Sequence, residues 1–129
     1  MKYLGIDYGR ARIGVAVGDD ETNMAFPRPI FETTDETEMV RGLSALAAEE
    51  GAGEIVMGLP SLIQGIDSAI RAEIMALRDR IKTESGIPVH LEDEMFTTKI
   101  AREHTKQSAV DSAAAALILQ SFLDKRMRR

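Results

Sequence analysis

Three groups of acidic residues stand where a plain core would not put them. Asp7 ends the apolar run "YLGI" and is followed at once by "YGRAR". Glu92, Asp93 and Glu94 close the run "IPVHL", and Asp111 opens the most apolar stretch of the chain, "DSAAAALILQSFL". An acid at a strand end is ordinary, and an aspartate in the first turn of a helix complements the helix dipole. Asp7 is harder to explain this way. It follows a run that belongs in mid-sheet, where an ionised group is costly unless paired or metal-bound.

In open sheets, ligands gather beyond the carboxyl ends of the strands. Asp7 and Glu94 both stand at such ends, and their two strands can point the same way. If the last helix brings its N-terminus to that edge, Asp7, Glu94 and Asp111 converge. Carboxylates that close repel and raise one another's pKa, and a divalent cation removes the penalty. Oxygen ligands, with no cysteine and only two histidines in the chain, favour Mg²⁺ or Mn²⁺ over zinc. Two such ions about 4 Å apart can activate a water and stabilise the leaving oxygen of a phosphodiester. The chemistry expected is in-line phosphodiester hydrolysis without a covalent enzyme intermediate, with Asp7, Glu94 and Asp111 as catalytic and metal-binding residues.

The elements that must position these acids follow from periodicity. Residues 2–7 and "RIGVAVGD" read as two strands joined through a turn at Gly9–Ala11, a hairpin. "FPRPIFET" is a third strand that its two prolines confine to an edge or shorten. "TTDETEMVRGLSALAAEEG" changes to helical period, with Thr34 or Asp35 as cap and Gly51 at the end. "EIVMGLP" is a strand, "DSAIRAEIMALRDRIKTESG" a helix with Ile70, Ile74, Leu77 and Ile81 in one stripe, and "IPVHLEDE" a strand. A short helix "TTKIAREHTK", capped near Thr97 and Thr98, and a last alanine-rich helix complete the chain. Three leading antiparallel strands and a later alternation that demands parallel crossovers predict an α/β fold: a mixed five-stranded sheet flanked by helices, in one domain spanning residues 1–129.

The 129 residues suffice for a core without staples, and the lack of cysteine excludes disulfides and thiol chemistry. No apolar run approaches the roughly 20 residues of a membrane span. The chain opens directly on a strand-like run without a basic-then-apolar leader, so no membrane partner and a cytoplasmic location are expected. The net charge is −5 but uneven. Residues 32–54 carry seven acids and one base, and residues 95–129 carry seven bases and three acids. The basic end is the part suited to phosphates. His90 alternates with Val89 and Leu91, which points it to solvent or a helix rather than to catalysis; His104 reads as an exposed helix residue. The seven methionines read as core filling.

Four blocks, "LGIDYGRARIGVAV", "IVMGLPSLIQG", "EDEMFTT" and "VDSAAAALILQSFLD", together resemble the YqgF family of pre-16S rRNA nucleases, also described as Holliday-junction-resolvase-like, with a ribonuclease H-like fold. They occur in the family's order and span nearly the whole chain. The resemblance implies a catalytic acidic set mapping onto Asp7, Glu94 and Asp111, a Mg²⁺ or Mn²⁺ cofactor, and structured RNA or branched DNA as substrate. The chain departs from the pattern at Met95, where the family has arginine, in the short segment "REHTKQSAV", and in the apolar "GLPSLIQG". Arg10, Arg12, Lys99, Arg102 and Lys106 are the bases left to meet nucleic acid.

The leading expectation is a metal-dependent endonuclease in 5′-end processing of pre-16S rRNA, with structured RNA ahead of branched DNA and a monomer or weak homodimer as the assembly. Resolution of four-way junctions would use the same site. It would call for a symmetric dimer, for which the apolar "SLIQGI" is a candidate surface, unless that loop packs on its own core. Two non-nuclease readings stand beside these. "GIDYGRARIGVAV" also resembles the first phosphate hairpin of actin-like and sugar kinases, but no second phosphate loop and no GxxxxGK[ST] motif accompany it. A catalytically weak nucleic-acid-binding assembly protein would fit the acidic balance and Met95.

Overall fold

The computed structural model describes residues 1–60, 68–93 and 107–127, with side chains in the last segment from 113 to 126. The elements run β1 (Lys2–Asp7), β2 (Arg12–Asp19), β3 (Met24–Glu32), α1 (Glu36–Glu49), β4 (Ala52–Leu59), α2 (Ser68–Ser85), β5 (Val89–Asp93) and α3 (Gln107–Met127). The short helix expected over "TTKIAREHTK", with Thr97, Thr98 and His104, and the "SLIQGI" surface lie outside the described residues.

The five strands form one sheet in the order β3-β2-β1-β4-β5. β1–β2 and β2–β3 pair antiparallel, and β1–β4 and β4–β5 pair parallel. This is the predicted mixed sheet. β3 stands at the edge, where Pro27 and Pro29 need supply no ladder donors; it keeps nine residues, so the prolines set its place and not its length. β1 is central, and β1, β4 and β5 share one direction. Asp7, Leu59 and Asp93 therefore end on the same edge of the sheet.

Helix boundaries follow local chemistry. The Asp35 carboxylate accepts from the Glu38 amide at 3.1 Å, choosing Asp35 over Thr34 as the cap of α1. Gly51 and Gly86 follow α1 and α2 with φ of 69° and 71°, backbone that terminates a helix at no steric cost only for glycine. Gly9 in the β1–β2 turn is needed for a different reason than unusual dihedrals: a Cβ there would run into the Arg12 carbonyl.

The sheet separates two cores. On one face Leu4, Ile6, Val15, Ile55 and Met57 pack under α1 and α2, which contribute Met39, Leu43, Ile74, Leu77 and Ile81. Ile70 of the predicted stripe packs at the margin of this cluster. On the other face Tyr3, Ala16 and Val56 meet Ala115, Ile118, Leu119 and Leu123 of α3. Met39 and Met57 are core residues, but Met1, Met24 and Met75 are exposed. The expectation of seven core methionines is therefore corrected: Met24 starts the edge strand and Met75 lies on the outer side of α2, where no second layer covers them.

α3 lies against glycine. A Cβ on Gly5 would come 2.9 Å from Leu119 Cβ and 3.1 Å from the Ala115 carbonyl, and one on Gly18 would come 2.9 Å from Leu119 Cδ2 and 3.2 Å from Leu123 Cδ1. Gly18 pairs with Tyr3, so moving along α3 from Ala115 to Leu123 is moving back along β1 from Gly5 to Tyr3. The helix runs antiparallel to β1, and its N-terminal end points towards Asp7.

At the opposite end of the sheet, Glu54 accepts from the Arg126 guanidinium at 2.8 Å and pairs with His90 Nε2 at 2.7 Å. His90 also packs on the Phe122 ring, with centroids 5.1 Å apart, so its off-parity position is helix-facing. Burial opposes ionisation of Glu54, but the hydrogen bonds from His90 and Arg126 prevail and hold its carboxyl below the usual value of 4.5.

Two stability predictions follow from these contacts with α3. Gly5→Ala destabilises the protein by about 1–3 kcal/mol through overpacking against Leu119, read as a lower urea midpoint at unchanged slope. A depressed folded pKa contributes stability that is complete above the unfolded value and disappears as pH falls through the folded one. The stability gap between wild type and Glu54→Gln, about 1 kcal/mol, is thus constant near neutrality and closes below pH 4.5; urea titrations across pH 3 to pH 7, as about the useful range, measure it.

Candidate active site at the carboxyl edge

Asp7 is 3% exposed, the more buried of the two charged residues that are buried among those described. β1 is hydrogen-bonded on both sides, and Asp7 itself pairs with Gly14. The backbone under this carboxylate is therefore held from two directions. Strand alternation puts Tyr3, Gly5 and Asp7 on one face, the face covered by α3. Asp111 lies in α3 one turn before Ala115 and on the same helical face. Ala115 stands over Gly5, two residues before Asp7. Positions 7 and 111 are therefore at the same end of the same layer. The side chain of Asp111 is outside the described residues.

β5 ends at Asp93, so Glu94 is the next residue in the chain but lies outside the described residues. Gly58 pairs with Glu92 and Leu59 with Asp93. The parallel register that aligns Ile6 with Met57 brings Asp7 level with Gly58 and Glu92. The two neighbours of Glu94 have separate surroundings. Glu92 is buried under α3, taking a hydrogen bond from Ser121 Oγ at 3.0 Å and an ion pair from Lys125 at 2.5 Å. Asp93 alternates to the opposite face and is exposed.

The oxygen donors fit a hard divalent cation. Asp7 offers a buried carboxylate at an open sheet edge, and aspartate and glutamate are the ligand types Mg²⁺ and Mn²⁺ take. Among the described residues no three acidic or histidine side chains gather into a metal group. The described share of the predicted set is Asp7 together with the backbone position of Asp111.

Of the predicted nucleic-acid bases, Arg10 and Arg12 are exposed beside the β1–β2 turn, and Lys99, Arg102 and Lys106 lie outside the described residues. Arg10 forms a forked ion pair with Glu73 of α2, at 2.7 Å from Nη2 and 3.1 Å from Nε to Oε2. The Tyr8 hydroxyl donates to the same carboxylate at 3.4 Å. Tyr8, Arg10, Thr34, Glu36, Glu73 and Leu77 line a cleft of about 390 Å³. Tyr8 points to the face opposite Asp7, so this cleft flanks the candidate site from below the sheet. Burial and then the Glu73 charge raise the Tyr8 phenol above its usual 10.0. Glu73 and Glu92 are the partners the sequence reading missed. Glu73 resembles any helix-surface acid, whereas the shared parity of His90 and Glu92, read with Ser121 and Lys125 four residues apart, was an available signal.

Comparison with known proteins gives the family and the fold. Residues 1–125 match the family described as RuvX: Holliday junction resolvase. A relative from Nitratidesulfovibrio vulgaris, named "Putative pre-16S rRNA nuclease", is 38% identical over 96% of this chain and 94% of its own. One of the same name from Opitutus terrae is 38% identical over 98% of this chain and 93% of its own. In three dimensions the chain resembles Thermus thermophilus RuvC in complex with a Holliday junction substrate. The TM-score is 0.65 at 14% identity, covering 99% of this chain and 96% of that one. It also resembles the Fowlpox virus resolvase bound to junction DNA, at TM-score 0.61 and 13% identity, covering 98% and 99%. At these identities the likeness shows the fold, which is the ribonuclease H-like fold.

Alkaline absorbance titration tests the Glu73 contact. The chain has two tyrosines, and Tyr3, buried and donating to Asp20 at 3.1 Å, is pushed up to about 12. Glu73→Gln removes the negative charge that favours the neutral phenol of Tyr8. The earlier of the two phenol steps then moves down towards 10.0 while the later one stays. An unmoved first step contradicts the contact.

Proposed function

The chain belongs to the RuvX, Holliday junction resolvase, family, and on that premise we propose that it is a divalent-metal-dependent endonuclease. It hydrolyses phosphodiester bonds in structured RNA, in 5′-end processing of pre-16S rRNA. The relatives' shared name supports that substrate. The observation that carries the active-site reading is the burial of Asp7 at the carboxyl end of the central strand, on the face over which α3 brings position 111.

Asp7, Glu94 and Asp111 hold Mg²⁺ or Mn²⁺ in this reading. When bound, the metal supplies activation of the attacking water and charge neutralisation at the leaving oxygen. The chain's own part is placement. β1 fixes Asp7 through ladders on both sides, and its burial keeps the carboxylate from dispersing its field into water. Gly9 allows the turn to close tightly beside the edge. Arg10 and Arg12 extend from that turn towards a phosphate backbone, with Lys99, Arg102 and Lys106 as further contacts, and phosphate replaces Glu73 as the partner of Arg10. The protein acts as one domain over residues 1–129, in the cytoplasm, as a monomer or weak homodimer. Among the described residues no helix is long and apolar enough to cross a membrane.

A second reading, cleavage of four-way DNA junctions, draws on the RuvC and Fowlpox resolvase folds. One experiment addresses both. Purified protein is incubated with labelled pre-16S rRNA fragments and with a synthetic junction, in Mg²⁺, Mn²⁺ or EDTA, beside Asp7→Asn. RNA cleavage that needs metal is expected. Asp7→Asn should lower it by at least a hundredfold, about 2.7 kcal/mol of transition-state stabilisation, with an unchanged circular dichroism spectrum. Cleavage that persists in EDTA and in the mutant would sink the site. Paired cuts in the junction without RNA cleavage establish the second reading, and binding without cleavage of either establishes an assembly protein.

A further inference from the structure

Glu92 is a buried carboxylate with no part in the chemistry proposed above. A charge in such a place is costly unless paired, and the Lys125 side chain that pairs it is itself 59% exposed, so the ion pair adds little net stability. Its two bonds go to α3: Ser121 donates at 3.0 Å, and the Lys125 ammonium lies 2.5 Å away, both at the same Oε2. Ser121 and Lys125 are one helical turn apart. A single oxygen held from two successive turns restricts both the roll and the slide of the helix.

The elements joined in this way matter. β5 is an edge strand, and it leads into Glu94 two residues after Glu92. α3 carries Asp111 ten residues ahead of Ser121, about 15 Å along a rigid helix. The apolar contacts of α3 lie mainly over β2, β3 and β1, through Ala16, Gly18, Ala25, Gly5 and Tyr3, and reach β4 at Val56. Towards β5, the described contacts are the two bonds of Glu92 and the stacking of His90 on Phe122. Gly5, Ala16 and Gly18 offer α3 little side chain to interlock with, beside Tyr3 and Val56. Gln120 and Asp124 hydrogen-bond Ala25 and Asn23 on the opposite flank; on this flank Glu54 of β4 takes Arg126, and Glu92 is the residue of β5 that hydrogen-bonds α3 among those described.

We propose that Glu92 is a positioning residue: by binding Ser121 and Lys125 it locks the end of β5 to α3, and so aligns the two elements that bring Glu94 and Asp111 to Asp7. This rests on the acidic-site reading of the preceding section. Glu92 itself touches neither the metal nor the substrate.

The test compares Glu92→Gln, Lys125→Met and Ser121→Ala with wild type. Mn²⁺ affinity is read by electron paramagnetic resonance without substrate, kcat and KM on the RNA substrate, and urea midpoints in parallel. Glu92→Gln and Lys125→Met are expected to weaken Mn²⁺ binding about tenfold and to lower kcat by a similar factor at unchanged KM, as loss of groups that orient metal ligands does. Ser121→Ala leaves no charge unpaired and keeps the protein folded, and it should shift both quantities the same way by less. The double variant Glu92→Gln/Lys125→Met should be no worse than its parents, because the pair acts as a unit. Variants with lowered urea midpoints but wild-type Mn²⁺ affinity and kcat overturn the proposal and leave Glu92 a purely structural residue. If wild type binds no Mn²⁺ and Asp7→Asn cleaves normally, the site reading itself falls, and this proposal with it.

Discussion

The arrangement depends on how closely α3 can approach the sheet. Two glycines, Gly5 and Gly18, remove the side chains that would hold the helix off, and Leu119 sits in the space between them. Closeness of this kind aligns the helix with β1 as a rod along a groove. It also fixes the direction in which the N-terminal end of the helix points, which is towards the edge where Asp7 is buried. A bulkier residue at either glycine would lift α3 and carry position 111 away from position 7, even with every acidic residue still present.

Small residues under a helix fix its depth better than its rotation, and polar contacts on both flanks of α3 supply the rest. On the β2–β3 side Gln120 and Asp124 reach Asn23 and Ala25, and on the β4–β5 side Glu54 and Glu92 take Arg126, Lys125 and Ser121. These groups are directional where the apolar contact is not. They divide the sheet into two working ends. The amino end, with Glu54, His90, Arg126 and Tyr3, is occupied by mutual ion pairing and ring packing. The carboxyl end keeps Asp7 and is flanked on the reverse face by the Tyr8–Arg10–Glu73 cleft. The amino end of the sheet is thus closed by contacts within the fold.

The chemistry of the residues in the two buried acidic positions is alike, and their surroundings separate them. Asp7 ends the central strand, held by the ladder to Gly14, whereas Glu92 lies on edge strand β5 beneath α3 with a lysine and a serine on one oxygen. Asp93, between Glu92 and Glu94, faces the other side of the sheet and is exposed. Within the triplet "EDE", the two described carboxylates, Glu92 and Asp93, thus have different surroundings, decided by strand parity and by what covers each face.

Much of this protein was legible in the chain. Alternation over residues 2–19, the change of period after Asp35, the glycine stops at Gly51 and Gly86, and the prolines of β3 are local signals, and each stated its element and often its place. The mixed pairing of the sheet followed because the later alternation of strand and helix requires parallel crossovers, whereas the order β3-β2-β1-β4-β5 came with the structure. The four ordered blocks carried the family. What local pattern could not hold was any relation between distant residues. That Glu73 takes Arg10 across 63 positions, that Lys125 neutralises Glu92, and that Met24 and Met75 lie outside the core while Met39 and Met57 fill it are results of packing. The sequence alone determined which residues are capable of the chemistry, since side-chain type and strand or helix period are properties of short stretches. Only the tertiary structure decided which of them are buried, which are partnered and which share an edge, because those depend on the approach of elements that the chain itself keeps far apart.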